Sequence, residues 1–302
     1  MSSAPLIASI EAGGTKFVCA VATSPDDIRA EFRIPTTKPD ETLEECCKFF
    51  TDQASSHGSV SALGIGTFGP AGVNQSASDY GFITSTPKRH WQNVNLLGTI
   101  RSAIGDVPAA FDTDVNAAAV GEWKWGAGRG VDSVLYITVG TGIGGGLAVN
   151  GQPLHGLVHP EMGHIRIPRV EDDPFVGNCP FHRDCFEGLA SGPAIEKRWG
   201  QDAVDLPKEH PAWGLQAEYL SLALVNLICA LSPERIVLGG GVMEQLHLFP
   251  LIRRRVVELL ANYISSPSIL SGIDDYIVPP GLGNQAGLAG GIALGAKALD
   301  AV

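Results

Sequence analysis

Two glycine-rich turns, each set between apolar stretches, constrain the fold of this chain more than any other feature. The first is Glu11-Ala12-Gly13-Gly14-Thr15-Lys16, with a strand pattern over residues 6–11 before it and a returning one over 17–22. The second is Val139-Gly140-Thr141-Gly142-Ile143-Gly144-Gly145-Gly146, between strand patterns at 133–139 and 145–149. Glycine lets backbone N–H groups approach phosphate oxygens closely, so two such turns can clamp a polyphosphate. The blander reading of either is a tight hairpin turn that needs positive φ. The first turn lacks the GxxxxGK[ST] spacing of a P-loop. The second contains GxGxxG, but a strand follows where a dinucleotide fold needs a helix. With one turn in each of two similar patterns, the second starting after Asp112, and a 302-residue length that fits two domains, the sequence predicts two related α/β halves with a cleft between them.

The rest of the chain reads as alternating strands and helices. Strands are expected at 28–34, 62–67, 109–111, 235–238 and 276–278, and helices at 42–57, 96–104, 116–123, 213–231, 246–263 and 285–299. The Pro-, Gly- and Ser-rich stretch 69–95 reads mostly as loop. The terminal helix is expected to pack back on the first half.

Three further constellations carry chemistry. In Phe111-Asp112-Thr113-Asp114-Val115-Asn116 a strand ends, two carboxylates follow and a helix begins. Asp114 or Asn116 could serve there as the helix N-cap. Alternatively, a carboxylate aimed at a substrate could take a proton from a hydroxyl. Downstream, Cys179-Pro180-Phe181-His182-Arg183-Asp184-Cys185 offers C-x2-H-x2-C, and His164 supplies a fourth ligand type suited to tetrahedral Zn2+. The alternative is a pair of reduced surface cysteines beside unrelated histidines. Finally, Gly239–Gly241 ends a strand and Gly281–Gly287 opens a helix; both could line a nucleotide pocket or serve only as punctuation.

Composition narrows the function classes. A formal net charge of −11 lacks the basic footprint of a nucleic-acid surface. Pro, Gly and charged residues interrupt every candidate membrane span. The N-terminal residues show neither a basic n-region nor a long apolar h-region, which makes the cytoplasm the default compartment. Six cysteines in such a chain are not expected to form a disulfide framework, and Cys19 and Cys229 read as core residues.

Together these motifs resemble the ROK family, named for its repressors, open reading frames and kinases. Their order is the family's: an E/D-x-G-G-T-K turn, a D-x-D-x-N-A-A-A segment and a G-T-G-I-G-G-G turn. An E-x-G-H element, a zinc segment ending in C-x-E and a terminal G-N-x-x-G-L-A-G follow. The likeness runs over residues 7–299. Within the family the chain is most similar to the bacterial fructokinase branch. Three features point there: Glu11 in place of Asp, the segment Ile83-Thr84-Ser85-Thr86-Pro87-Lys88, and C-P-x-H-x-x-C in place of C-x-C-x4-C.

The resemblance implies a two-domain, actin-like (ribonuclease H-like) α/β sugar-kinase fold with a cleft between the domains. The smaller N-terminal domain would comprise 1–112 plus 285–302, and the larger C-terminal domain 113–284, with a zinc-binding segment at 159–187. Asp114 matches the general base. Thr113 stands where the family often has a sugar-binding Asn. Glu161, His164 and Glu187 match sugar-hydroxyl ligands, and His164, Cys179, His182 and Cys185 a structural Zn2+ site. Gly13, Gly14, Thr15 and Thr141 match phosphate-loop positions, with Lys16, Gly142, Gly240, Gly283 and Asn284 as further nucleotide contacts. Glu11 matches the acidic residue near Mg2+, touching it directly or through water. The implied reaction is transfer of the ATP γ-phosphoryl to a hexose, D-fructose giving fructose 6-phosphate. Glucose, mannose and N-acetylmannosamine are the rival substrates of the same class. The implied partners are hexose and ATP, without nucleic acid or membrane, and the assembly is a homodimer. A sugar-responsive repressor of the family would add an N-terminal helix-turn-helix module; here the first strand starts about seven residues from Met1.

Overall fold

The computed structural model describes residues 4–301, so the outermost residues of the expected domains, 1–3 and 302, lie outside it. The chain runs through β1 (Ile7–Ala12), β2 (Lys16–Ser24), β3 (Asp27–Pro35), α1 (Pro39–His57), β4 (Ala62–Thr67), β5 (Phe82–Ile83), β6 (Val94–Asn95), α2 (Leu96–Ile104), β7 (Ala109–Thr113) and α3 (Asp114–Trp125). It continues through β8 (Ser133–Val139), β9 (Ile143–Val149), β10 (Gln152–Pro153), α4 (Phe186–Ala190), α5 (Gly192–Trp199), α6 (Ala212–Leu231), β11 (Arg235–Gly239), α7 (Leu248–Leu260), α8 (Pro267–Leu270), α9 (Ile273–Tyr276), β12 (Ile277–Val278) and α10 (Ala286–Asp300). Two compact units result. The first holds the chain up to Gly130, Ala148–Pro160 and everything from Gly281 onward; the second holds Val131–Leu147 and Glu161–Pro280.

In the first unit the sheet order is β3-β2-β1-β4-β7, antiparallel across β1–β2–β3 and parallel across β1, β4 and β7. Side chains of β1 alternate between the two faces, as the pleat requires. Ala8, Ile10 and Ala12 join a core with Leu43, Cys46, Phe49 and Phe50 of α1 and Leu96, Leu97 and Ile100 of α2. Ser9 points the other way, its Oγ donating to Leu288 O of α10 at 2.8 Å. Helix α10 lies close enough to the sheet that a Cβ on Gly64 would collide with Gly291 O, and one on Gly290 with Ala117 O of α3. That close approach explains why the terminal helix is built from Ala and Gly. It also ties α3 to α10, so 113–130 belong to the first unit rather than to the second domain where the sequence reading put them.

In the second unit β8, β11 and β12 run parallel, with β9 beside β8. Their core is completed by α6 and α7, through Trp213, Tyr219, Leu220, Leu224, Phe249, Ile252 and Val256. Contrary to the sequence reading, α6 is by length and composition apolar enough to cross a membrane. Half of that window is buried inside the protein, as in a core helix. Cys19 is buried as expected, whereas Cys229 on α6 is exposed. The short helices α4 and α5 were not legible in the sequence, being only 5 and 8 residues long.

Candidate active site

Because β1, β4 and β7 are parallel, their carboxyl ends share one edge of the sheet. Ala12 lies beside Thr67, and Thr67 beside Thr113. A strand spacing of about 4.8 Å separates Ala12 from Thr113 by roughly 10 Å. Ala12 leads into the first glycine turn, and Thr113 into α3, whose first residue is Asp114. The carboxyl edge of parallel strands is where ligands bind in open α/β sheets.

The first turn is tight: Gly13 N–H donates to Lys16 O at 2.9 Å, and Thr36 Oγ1 donates to Gly13 O at 2.8 Å. A Cβ on Gly13 would stand 2.8 Å from Lys16 O, which restricts the position to glycine. Thr15 and Lys16 are exposed and Gly14 half-exposed. Glu11, just before the turn, packs its carboxyl against Gly287 at the start of α10. Burial pushes its pKa up, against the opposing pull of Lys16, Arg33 and the Leu288 amide.

At the other carboxyl end, the N-cap of α3 is neither Asp114 nor Asn116, as the sequence allowed, but Thr113, whose hydroxyl accepts the Asn116 N–H at 3.2 Å. Thr113 is buried, so the position expected to touch sugar serves as a helix cap. The two aspartates differ sharply. Asp112 is buried; Oδ1 accepts from Thr113 N at 2.8 Å and Asn116 Nδ2 at 2.7 Å, and Oδ2 meets His155 Nε2 at 2.8 Å. The hydrogen bond from His155 to the Asp112 carboxylate raises the His155 pKa above its ordinary value. Asp114 is half-buried, with Oδ1 accepting from Val115 N at 2.8 Å.

In the second unit, Gly140, Thr141 and Gly142 follow β8, and Gly240 follows the neighbouring β11. Gly240 has φ +89°, and a Cβ there would stand 2.5 Å from Val139 O. The turn is held from one side by the α4–α5 segment. Glu187 Oε2 accepts from Ile143 N at 3.0 Å, and Gly192 N donates to Gly140 O at 2.8 Å. Thr141 remains exposed. Gly283, with φ +56°, and Asn284 lie exposed before α10 in the first unit. Their loop is fixed by a residue the sequence reading missed. The buried carboxylate of Glu122 accepts from Ala127 N at 2.6 Å and from Gly281 N and Leu282 N at 3.0 Å each. A lone carboxylate beside Ala118, Ala119 and Val120 was the available signal.

The four expected zinc ligands come together. Their ligand atoms lie within 4.8 Å of one another. Cys179 Sγ is 3.8 Å from His164 Nδ1 and 3.7 Å from His182 Nδ1, and Cys185 Sγ is 3.5 Å from His164 Nδ1. Bond lengths of about 2.3 Å to sulfur and 2.05 Å to nitrogen in a tetrahedron give sulfur–nitrogen edges of about 3.6 Å. The donor set therefore fits Zn2+. Burial pushes the Cys185 thiol up to about 11, an environment that needs a cation before the thiolate can form. A reciprocal pair of hydrogen bonds closing three residues, Cys179 N to Arg183 O at 3.1 Å and Arg183 N to Cys179 O at 2.9 Å, shapes the loop. Phe186 N, at the start of α4, donates to Ile165 O at 3.0 Å, tying α4 to the His164 segment. Glu161 sits exposed at the head of the short 3-10 turn Met162–His164.

The parallel carboxyl edges, with their glycine turns and a carboxylate opening a helix, define a sugar-kinase fold of the actin-like class. The chain belongs to the ROK family, whose sequence profile matches residues 7–298. It is 44% identical over 294 residues to a fructokinase of Pediococcus pentosaceus, covering 97% of this chain and 99% of that one. It is also 44% identical to a fructokinase of Lactococcus lactis subsp. cremoris, covering 90% of each. A ROK family glucokinase from Streptomyces griseus, solved with glucose and AMPPNP, superposes with a TM-score of 0.76 at 25% identity, covering 97% of this chain and 99% of that one.

Proposed function

We propose that this chain transfers the γ-phosphoryl group of ATP to the 6-hydroxyl of D-fructose, yielding fructose 6-phosphate and ADP. The observation that carries the reading is the shared sheet edge: the first glycine turn and Asp114 follow the parallel strands β1 and β7, which flank β4 and end about 10 Å apart. The choice of fructose rests on the fructokinases among its relatives.

Asp114 accepts the hydroxyl proton as that oxygen attacks phosphorus. Asp112, fully occupied by Thr113, Asn116 and His155, holds the strand-to-helix junction that aims it. Gly13, Gly14, Thr15 and Lys16, and likewise Thr141, Gly142 and Gly240, cradle phosphate oxygens, and Gly283 and Asn284 contact the nucleotide. Glu161, His164 and Glu187 bind sugar hydroxyls, and Thr113 contributes through the junction it caps. Positioning and charge stabilisation supply most of the rate in phosphoryl transfer. Glu11 is the carboxylate that would stand near Mg2+, and the ion would supply neutralisation of charge on the polyphosphate. Zn2+ held by His164, Cys179, His182 and Cys185 supplies a structural cross-link. With Nδ1 of His164 facing the thiols, Nε2 is the nitrogen that addresses the sugar. The expected setting is cytoplasmic, and the expected assembly a homodimer, read by light scattering as about twice the 31.7 kDa chain mass.

The regiochemistry tests this directly. 31P and 13C NMR of the product from fructose and MgATP should place the phosphate on C6. Phosphate on C1, or no sugar phosphate at all, would overturn the assignment.

A further inference from the structure

Lys88 belongs to the 84–92 segment, and nothing in the reaction described above uses it. Its side chain lies over the first glycine turn: a Cβ on Gly14 would stand 3.4 Å from Lys88 Cε. Lys88 is exposed, and no carboxylate pairs with its ammonium among the described residues. The backbone beneath it is anchored. Trp91 N donates to Lys88 O at 2.8 Å, and the buried Trp91 ring donates through Nε1 to Thr37 O at 2.9 Å. That ring packs 5.2 Å from Phe17, the residue after the turn, and 5.7 Å from Phe68. Gln92 Nε2 holds Thr86 O at 2.9 Å on the other flank. An unpaired cation is thus carried on a fixed segment whose anchor touches the same strand that leaves the turn.

We propose that Lys88 is a further phosphate-binding residue, contacting the transferring γ-phosphoryl group over the Gly13–Lys16 turn. This deepens the kinase reading and rests on it. As the bond from phosphorus to the ADP oxygen breaks and the bond to the sugar oxygen forms, negative charge spreads over the equatorial phosphoryl oxygens. A protonated ammonium with three donors stabilises that charge without gaining or losing a proton.

The test compares wild type, Lys88→Ala and Lys88→Arg. Wild type must turn over fructose with MgATP; if it does not, the kinase reading itself fails. With that control in place, Lys88→Ala should lower kcat by about 10^2-fold, the usual loss for one preorganised charge-stabilising donor. Its KM for fructose should stay within about threefold. Affinity for Mg-AMPPNP should fall at least about tenfold, while affinity for MgADP, which lacks the γ-phosphate, should hold. Lys88→Arg should recover most of the lost rate, because the charge is kept. An unchanged kcat, or an equal loss of AMPPNP and ADP binding, would overturn the proposal, the latter marking Lys88 as a mere prop of the turn.

Discussion

Asp114→Asn should lower kcat by about 10^2-fold or more, the lower part of the range for acid–base catalysis. The amide is isosteric with the carboxylate and can still meet Val115 N, so thermal stability should barely move. Sugar binding should also survive, because the lost function is proton acceptance. Asp112 supplies the internal control. Its carboxylate is buried against Thr113 N, Asn116 Nδ2 and His155. Asp112→Asn keeps the shape and one acceptor oxygen but puts an NH2 donor against either His155 Nε2 or the Thr113 and Asn116 donors. That variant should lose stability first, and rate only through displacement of Asp114. Melting curves beside steady-state kinetics check both. A near-wild-type kcat in Asp114→Asn would remove the residue from its role.

The second large effect comes from the metal segment. Protein purified without chelator should contain one zinc per chain, and Cys185→Ser should lose it. Sugar KM should then rise about tenfold to a hundredfold, the usual range when the support of a site residue is removed. His164 loses the partner that fixes its ring, and α4, which begins one residue after Cys185, loses its anchor. The structure adds a consequence for the nucleotide. Glu187 on α4 accepts the Ile143 N–H of the second glycine turn, so ATP KM should rise as well. Kinetics on folded, zinc-free protein, with zinc measured by elemental analysis, decide the matter. Unchanged KM values for both substrates in that state would reduce the metal to a surface staple.

Strands β1, β2 and β4 of the first unit were readable because they are buried along nearly their whole length and show as apolar runs, whereas β3 is mostly exposed. The cluster of His164, Cys179, His182 and Cys185 was readable because four donors fall close together in the sequence. What escaped was decided by tertiary contact. Thr113 rather than Asp114 caps α3, and only the hydroxyl's reach to Asn116 N distinguishes them. The contact of Glu187 with Ile143 joins residues 44 positions apart, a distance at which no periodicity reports. Placing α3 with α10 depended on glycine-mediated close packing between segments at opposite ends of the chain. Helices α4 and α5 are too short to display a face.

The central claim is that this chain is an ATP-dependent fructose kinase. A coupled ADP-release assay with MgATP across fructose, glucose, mannose and N-acetylmannosamine tests it most directly. Fructose should turn over at the highest kcat/KM of the panel, and no sugar should turn over when Mg2+ is withheld. Absence of ADP release with every sugar, or a higher kcat/KM for another hexose, would contradict it.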